Sequence, residues 1–274
     1  MTLHDLYQEV AKAHLFFPPH PGDEGAFIGG AVAANAGGAR AVKYGTVRNY
    51  VLGLRVVLAD GRTVQLGGKY IKSSSGYNLL SLMIGSEGTL GIISEVTLAL
   101  IPPPAVSQTL VVPFAEIGAA IRTVPALLKA GILPAAVEFV EHSVIRCAER
   151  MLNRRWPTQA GTASLMIILD GPRQETLDAE TEALATLLDT TGALDVLVAE
   201  SKEQQAQILE MRSMLYESLR PGTVELFDIC VPRSEIAGHV QFVHELEQKL
   251  GVMLPTYGHA ADGNVHTHSL RTEL

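Results

Sequence analysis

The residues best suited to chemistry lie near the C-terminal end, in the decapeptide YGHAADGNVH. It holds His259 and His266, with Asp262, Gly263 and Asn264 between them. Two imidazoles flanking a DGN turn can converge on one divalent ion if the chain reverses at Gly263. On spacing alone, histidines seven residues apart can equally be unrelated surface residues. His268 adds a third imidazole nearby. A second chemical candidate is Arg212, in ILEMRSMLYESL. A guanidinium can hold a carboxylate through two parallel hydrogen bonds. The same arginine could instead be a surface residue paired with Glu210 or Glu217.

A different kind of chemistry is suggested by FIGGAVAANAGG, Phe27 to Gly38, where Asn35 is the one polar side chain. Backbone so poor in side chains can lie directly against a flat or charged ligand, with amide N–H groups facing it. The same texture returns in GSEGTLGII, Gly85 to Ile93. Either loop alone reads as a tight turn between buried strands; the pair together points to a large cofactor held by main chain. The glycines do not follow G-x-G-x-x-G between a strand and a helix, which argues against a Rossmann dinucleotide site. Glu87 would repel phosphate, so it is either a hydroxyl or amide acceptor or a simple cap.

These groups must be positioned by regular elements. Leu3, Leu6, Tyr7, Val10 and Ala11 recur at helical spacing. Tyr50–Ala59 reads as a buried strand, Asp60-Gly61 as a hairpin turn, and Thr63–Leu66 as the returning strand. Ile92–Leu100 is another strand, closed by Pro102, Pro103 and Pro104, which mark the domain boundary. Beyond them the pattern predicts strands at Gln108–Val112, Ala135–Val140, Leu165–Leu169, Val196–Ala199 and Leu226–Val231. Helices are expected at Glu116–Ala130, Val144–Leu152, Glu175–Thr190, Glu203–Leu219 and Ser234–Leu250. This alternation predicts an α+β fold with helices on one face of a sheet.

Composition narrows the function classes. The 274 residues are 47% hydrophobic and carry a formal charge of -8, enough for one large or two ordinary domains. That charge disfavours an electrostatic grip on nucleic acid or an anionic membrane. Cys147 and Cys230 are the only cysteines and lie far apart, which suits a reducing compartment. The N-terminus lacks the features of a signal peptide, and no apolar run is long enough to span a bilayer. A cytoplasmic globular protein is expected.

Two long stretches carry a family resemblance. IGGAVAANAGGARAVKYGTVRNYVLGLRVVLADGRTV and KSSSGYNLLSLMIGSEGTLGIISEVTLALIP resemble the FAD-binding domain of the vanillyl-alcohol-oxidase type flavoproteins. Within them, the chain is most similar to the branch of the glycolate oxidase large subunit, D-lactate dehydrogenase and D-2-hydroxyglutarate dehydrogenase. The resemblance implies a partial FAD-binding domain over residues 1–104. A truncated C-terminal substrate and metal domain, a ferredoxin-like α/β sandwich, follows over 105–274. It places FAD against Pro21, Gly22 and Asp23, against Ile28, Gly29 and Gly30, and against Ala34, Asn35, Ala36 and Gly37. Further contacts fall on Glu87, Gly88, Gly91, Ile92 and Ile93. Gly258 to His266 matches the family's GHAGDGNxH-like motif, with Ala261 replacing a glycine. That implies a divalent metal, zinc being the expected ion, on His259 and His266, with Asn264 facing the substrate. Arg212 matches the arginine of a W-x-x-R-like segment, and Phe227–Pro232 a YDxSxP-like strand.

The implied function is FAD-dependent oxidation of a small D-2-hydroxy acid by metal-assisted hydride transfer to flavin N5, with a separate electron acceptor. Leu226 stands where the hydroxyglutarate enzymes carry a lysine, which favours a glycolate or D-lactate type substrate. The metal motif counts against an aryl-alcohol or sugar oxidase. Family members carry a further N-terminal glycine-rich FAD loop, and beyond DGN-x-H an E-H-G segment with a third metal ligand and a catalytic base. Neither is found in this sequence. The chain is therefore expected to be an internal portion of such an enzyme, completed by other subunits or acting only as a non-catalytic scaffold.

Overall fold

The computed structural model describes residues 1–271. The chain divides into two compact units, Met1–Pro103 and a second beginning at Pro104.

In the first unit, helix α1 (Leu3–Lys12) starts at a reciprocal cap in which Thr2 accepts from the Asp5 amide and Asp5 accepts from the Thr2 amide. Leu3, Leu6 and Val10 form its buried stripe. Two of the next three helices are single turns or little more: α2 (Ile28–Ala33), α3 (Ala41–Tyr44) and α4 (Leu79–Met83). Strands β1 (Val51–Val57), β2 (Thr63–Gly67) and β3 (Ile92–Leu98) form an antiparallel sheet in the order β2-β1-β3. Phe17, Val32, Leu54 and Val56 are fully buried in its core. The small-residue segment is thus not simply a loop. Its first half is helix α2, because Ala31 and Val32 give it a buried side that offsets the helix-weakening glycines at 29 and 30.

The second unit is built on a seven-stranded antiparallel sheet in the order β7-β4-β6-β5-β9-β10-β8. Its strands are β4 (Val106–Phe114), β5 (Ala136–Glu141), β6 (Ala163–Gly171), β7 (Leu197–Val198), β8 (Thr223–Cys230), β9 (Thr256–His259) and β10 (Asn264–Leu270). The helices are α5 (Ile117–Lys129), α6 (His142–Leu152), α7 (Gln174–Leu188), α8 (Lys202–Ser213), α9 (Leu215–Leu219) and α10 (Ile236–Leu250).

Three features depart from the sequence-based expectation. Helices cover both faces of the sheet rather than one. The central strands are buried at consecutive positions, Thr109 to Phe114 and Ala136 to Val140, and a strand dry on both faces needs a layer on each side. Val111, Val140 and Met166 pack with α6, α8 and α9, while α5 and α7 pack on β4 and β6. Second, the helix expected over Glu203–Leu219 breaks at Met214, whose ψ is near zero. The Ser213 hydroxyl there donates to the Glu210 carbonyl at 2.8 Å, a local bond that competes with helix continuation. Third, YGHAADGNVH is not an isolated turn but the hairpin joining β9 and β10.

Candidate active site

The β9–β10 hairpin places the site. Gly263 has φ +100°, and any side chain there would run into the Val231 carbonyl, so the reversal requires glycine. The pairing aligns His259 with Asn264, and Tyr257 with His266. On the flanking strands, Glu138 of β5 lies opposite His259, and Asp228 of β8 lies opposite His266. Because partners across a ladder share a face and so do residues two apart, one sheet face carries two parallel rows. They are Glu138–His259–Asn264–Cys230 and Val140–Tyr257–His266–Asp228.

The rings of His259 and His266 are 5.2 Å apart and nearly perpendicular, at 86°. Each directs Nδ1 at a carboxylate: His259 at Glu138, 2.7 Å, and His266 at Asp228, 3.4 Å. Glu138 is fully buried and is also gripped by Arg212 of α8, through Nε at 2.8 Å and through Nη2. The Arg212 guanidinium lies over the Tyr257 ring, 5.1 Å from its centroid. Burial alone would raise the Glu138 pKa, but the charges of Arg212 and His259 override it and bring it down to about 2. Burial pulls His259 the other way from Glu138, and the carboxylate wins, so its pKa is raised. His266 lowers the Asp228 pKa chiefly through their hydrogen bond. Behind them, His268 is fully buried between Thr223 Oγ1, 2.8 Å, and Tyr257 Oη, 3.2 Å. Its pKa is depressed to about 4 by burial.

The donor set suits a divalent ion. Carboxylates on both Nδ1 atoms are the usual outer-shell arrangement for histidine ligands, and they leave both Nε2 atoms available. Asn264 Oδ1, on the same face, is buried without a hydrogen-bond partner, which is costly unless a ligand supplies a donor or cation. Among the described residues, no group of three or more His, Cys, Asp or Glu is placed to hold a metal.

The structure thus brings together His259, His266, Asn264 and Arg212. Sequence reasoning missed Glu138 and Asp228. A lone glutamate inside the apolar strand AAVEFV was a usable signal, since a buried charge requires a partner. The surface pairings considered for Arg212 do not form, as Glu210 pairs with Arg154 and Glu217 with Arg220.

In the first unit, Ile28, Gly29 and Gly30 form the opening turn of α2, whose N–H groups have no intrahelical acceptors; the Ile28 amide donates instead to the Met1 carbonyl at 3.2 Å. Other amides in the expected cradle are already engaged. Ala34, Asn35 and Ala36 donate to the carbonyls of Gly30, Val32 and Ala31, and Gly85 and Glu87 donate to those of Val32 and Ala33. These last two bonds tie the two small-residue segments together. Asn35 sits at φ +48°, and its Oδ1 accepts from Thr46 Oγ1 and the Arg48 amide, pinning the following loop. Pro21, Gly22 and Asp23 lie on the loop before α2, where Asp23 accepts from the Gly25 amide at 2.8 Å. A side chain at Gly37 would meet the Thr46 methyl at 3.8 Å, an ordinary contact. Gly91 packs tightly on β1, since a side chain would meet Val56 at 2.7 Å. Ile92 and Ile93 then open β3. By contrast, a side chain at Gly22, Gly30 or Gly88 would meet nothing, and Phe27, Leu90 and Ile92 are exposed. Open main chain beside exposed apolar side chains fits a flat aromatic cofactor.

Comparison with known proteins bears on both units. Residues 1–67 match the family described as FAD binding domain, and residues 103–273 that described as FAD linked oxidases, C-terminal domain. The chain is 44% identical to a D-lactate dehydrogenase of Archaeoglobus fulgidus, over 98% of this chain and 59% of that protein. It is 38% identical to glycolate oxidase subunit GlcD of Bacillus subtilis, over 96% of this chain and 56% of that one. The chain therefore spans somewhat over half the length of these relatives. Its fold also matches 4-ethylphenol oxidase from Gulosibacter chungangensis, with a TM-score of 0.72 at 14% identity, over 98% of this chain and 60% of that structure. The α+β architecture is that of the vanillyl-alcohol-oxidase type flavoproteins, and FAD is the cofactor that the N-terminal match supports. With a match that runs over more than half of its residues, the chain belongs to the FAD-linked oxidases.

Proposed function

We propose that the chain serves FAD-dependent oxidation of a small D-2-hydroxy acid of the glycolate or D-lactate type, assisted by a divalent metal, zinc being the expected ion. The observation that carries this reading is the pair of imidazoles whose Nδ1 atoms both face carboxylates. When bound, FAD accepts the Cα hydride at N5 and the metal acidifies the substrate hydroxyl.

The chain's own residues divide the remaining work. His259 and His266 hold the ion, and Glu138 and Asp228 orient their rings. Arg212 keeps an N–H edge for the substrate carboxylate, because Glu138 occupies only its Nε–Nη2 side. Asn264 Oδ1 accepts from the substrate hydroxyl. Leu226 offers no charge for a second carboxylate, which favours a monocarboxylate. The FAD contacts proposed in the first unit are Gly22, Ile28–Gly30, Gly37, Glu87, Gly88 and Ile92. Electrons leave to a separate acceptor, and further subunits complete the assembly. The two free cysteines, Cys147 and Cys230, suit a cytoplasmic location, and among the described residues no helix is long and apolar enough to cross a membrane.

A non-catalytic scaffold is the competing reading, favoured by the lack of a third side-chain ligand among the described residues. Anaerobic mixing of the FAD- and Zn²⁺-loaded protein with D-lactate or glycolate separates the two. Bleaching of the visible flavin band by these acids, and not by L-lactate, supports the enzyme. An unchanged band in protein that holds FAD supports the scaffold.

A further inference from the structure

We propose that Glu138 is a positioning residue, a single carboxylate that fixes both the tautomer of His259 and the usable edge of Arg212. The inference rests on the metal-assisted reading for what those two side chains do, and on their contacts alone for how they are held. Glu138 is fully buried. Oε1 and Oε2 face His259 Nδ1 at 2.7 and 2.9 Å, and Oε2 also takes Arg212 Nε at 2.8 Å as well as Nη2.

The chemistry of the three groups leaves one arrangement. An ionised carboxylate only accepts hydrogen bonds and a guanidinium only donates them. His259 Nδ1 must therefore carry a proton, which leaves Nε2 as the atom able to give a lone pair to a metal. The Arg212 fork is turned so that its Nη1 side is the one open to an anion, and the Tyr257 ring beneath it fixes the plane. The three residues come from β5, β9 and α8, so one glutamate sets the mutual orientation of a metal ligand and a substrate-binding cation.

Glu138→Gln makes this decisive, because it changes almost no volume. Arg212 can only donate, so the glutamine oxygen must face it. The amide NH₂ then takes the place of Oε1, the nearer of the two atoms to His259 Nδ1, so Nδ1 has to accept and the ring proton moves to Nε2. In ¹⁵N ring spectra of the metal-free chain at alkaline pH, wild-type His259 is expected as the Nδ1–H form and the variant as the Nε2–H form. His266, held by Asp228, keeps its tautomer and serves as the internal reference. Zn²⁺ affinity is expected to fall about 10–100-fold. Retention of the Nδ1–H form together with unchanged Zn²⁺ affinity in the variant would overturn the proposal. Should the variant fail to fold, the wild-type spectrum still decides, since a proton on Nε2 with a bare Nδ1 contradicts it. Wild-type protein with the expected tautomers but no Zn²⁺ binding would uphold the role of Glu138 and remove the metal-assisted reading instead.

Discussion

Glu138 and His259 face each other across neighbouring strands, carboxylate to Nδ1 at 2.7 Å, although 121 residues separate them in the chain. This contact joins the central β5 strand to the hairpin that carries the paired imidazoles. It makes the site's geometry depend on the core of the sheet.

Breaking that core pair is expected to be expensive. Glu138→Leu leaves Arg212 and His259 without their counter-charge, and Arg212→Met leaves the carboxylate half-paired in a dry site. Each single substitution is expected to cost about 3–5 kcal/mol, and the double substitution less than the sum. Urea denaturation of the four proteins in the cycle measures it.

Stability is expected to peak near neutral pH. The folded-state pKa of His268 is about 4 against an ordinary 6.5. The unfolded chain therefore binds the extra proton, and stability falls as pH drops from 6.5 toward 4. Glu138, about 2 against 4.5, adds a further loss between those values. Shifts of this size correspond to roughly 3 kcal/mol each. His259 acts in the opposite direction. Its raised pKa contributes stability that is complete below 6.5 and lost as pH rises through the folded value. Denaturation midpoints across pH check the shape, and His268→Gln is expected to flatten the limb between 6.5 and 4.

The glycines of the first unit are expected to separate into two kinds. Gly91→Ala puts a methyl within 2.7 Å of Val56 and 2.8 Å of the Val57 carbonyl, so it lowers the melting temperature. Gly30→Ala places a methyl where nothing lies within 4 Å and leaves stability within about 1 kcal/mol, the helix-propensity scale. It nevertheless weakens FAD binding by about tenfold or more, equivalent to about 1.4 kcal/mol. Flavin fluorescence titration beside thermal unfolding distinguishes them.

Asn264→Leu is expected to change stability little, because it removes a buried acceptor without a partner, a defect worth about 1–3 kcal/mol, together with the side-chain hydrogen bond to Asp228. The same change should weaken binding of D-lactate or glycolate. A thermal-shift assay with and without the acid shows both effects.

How much of this was legible in the sequence follows from the range of the interactions. Strands such as Ala163–Gly171 and helices such as Gln174–Leu188 announce themselves through local periodicity. So did the candidate pair His259 and His266, through the DGN turn between them. The hairpin itself did not, because β9 has only four residues and its Gly–His sequence lacks strand-like alternation. Helix α2 was hidden by its glycines. Glu138 was hidden by distance, its partners lying 74 and 121 residues away. Burial of both strand faces was equally non-local, set by which helices return to which side.

The central claim is that two imidazoles present their Nε2 atoms to one divalent ion. Titration of the metal-free chain with Co²⁺, followed by its visible absorption, tests it most directly. One ion per chain is expected, with binding weakened strongly in both His259→Ala and His266→Ala. Wild-type protein that binds no Co²⁺, or binds it equally well after both substitutions, would contradict the account.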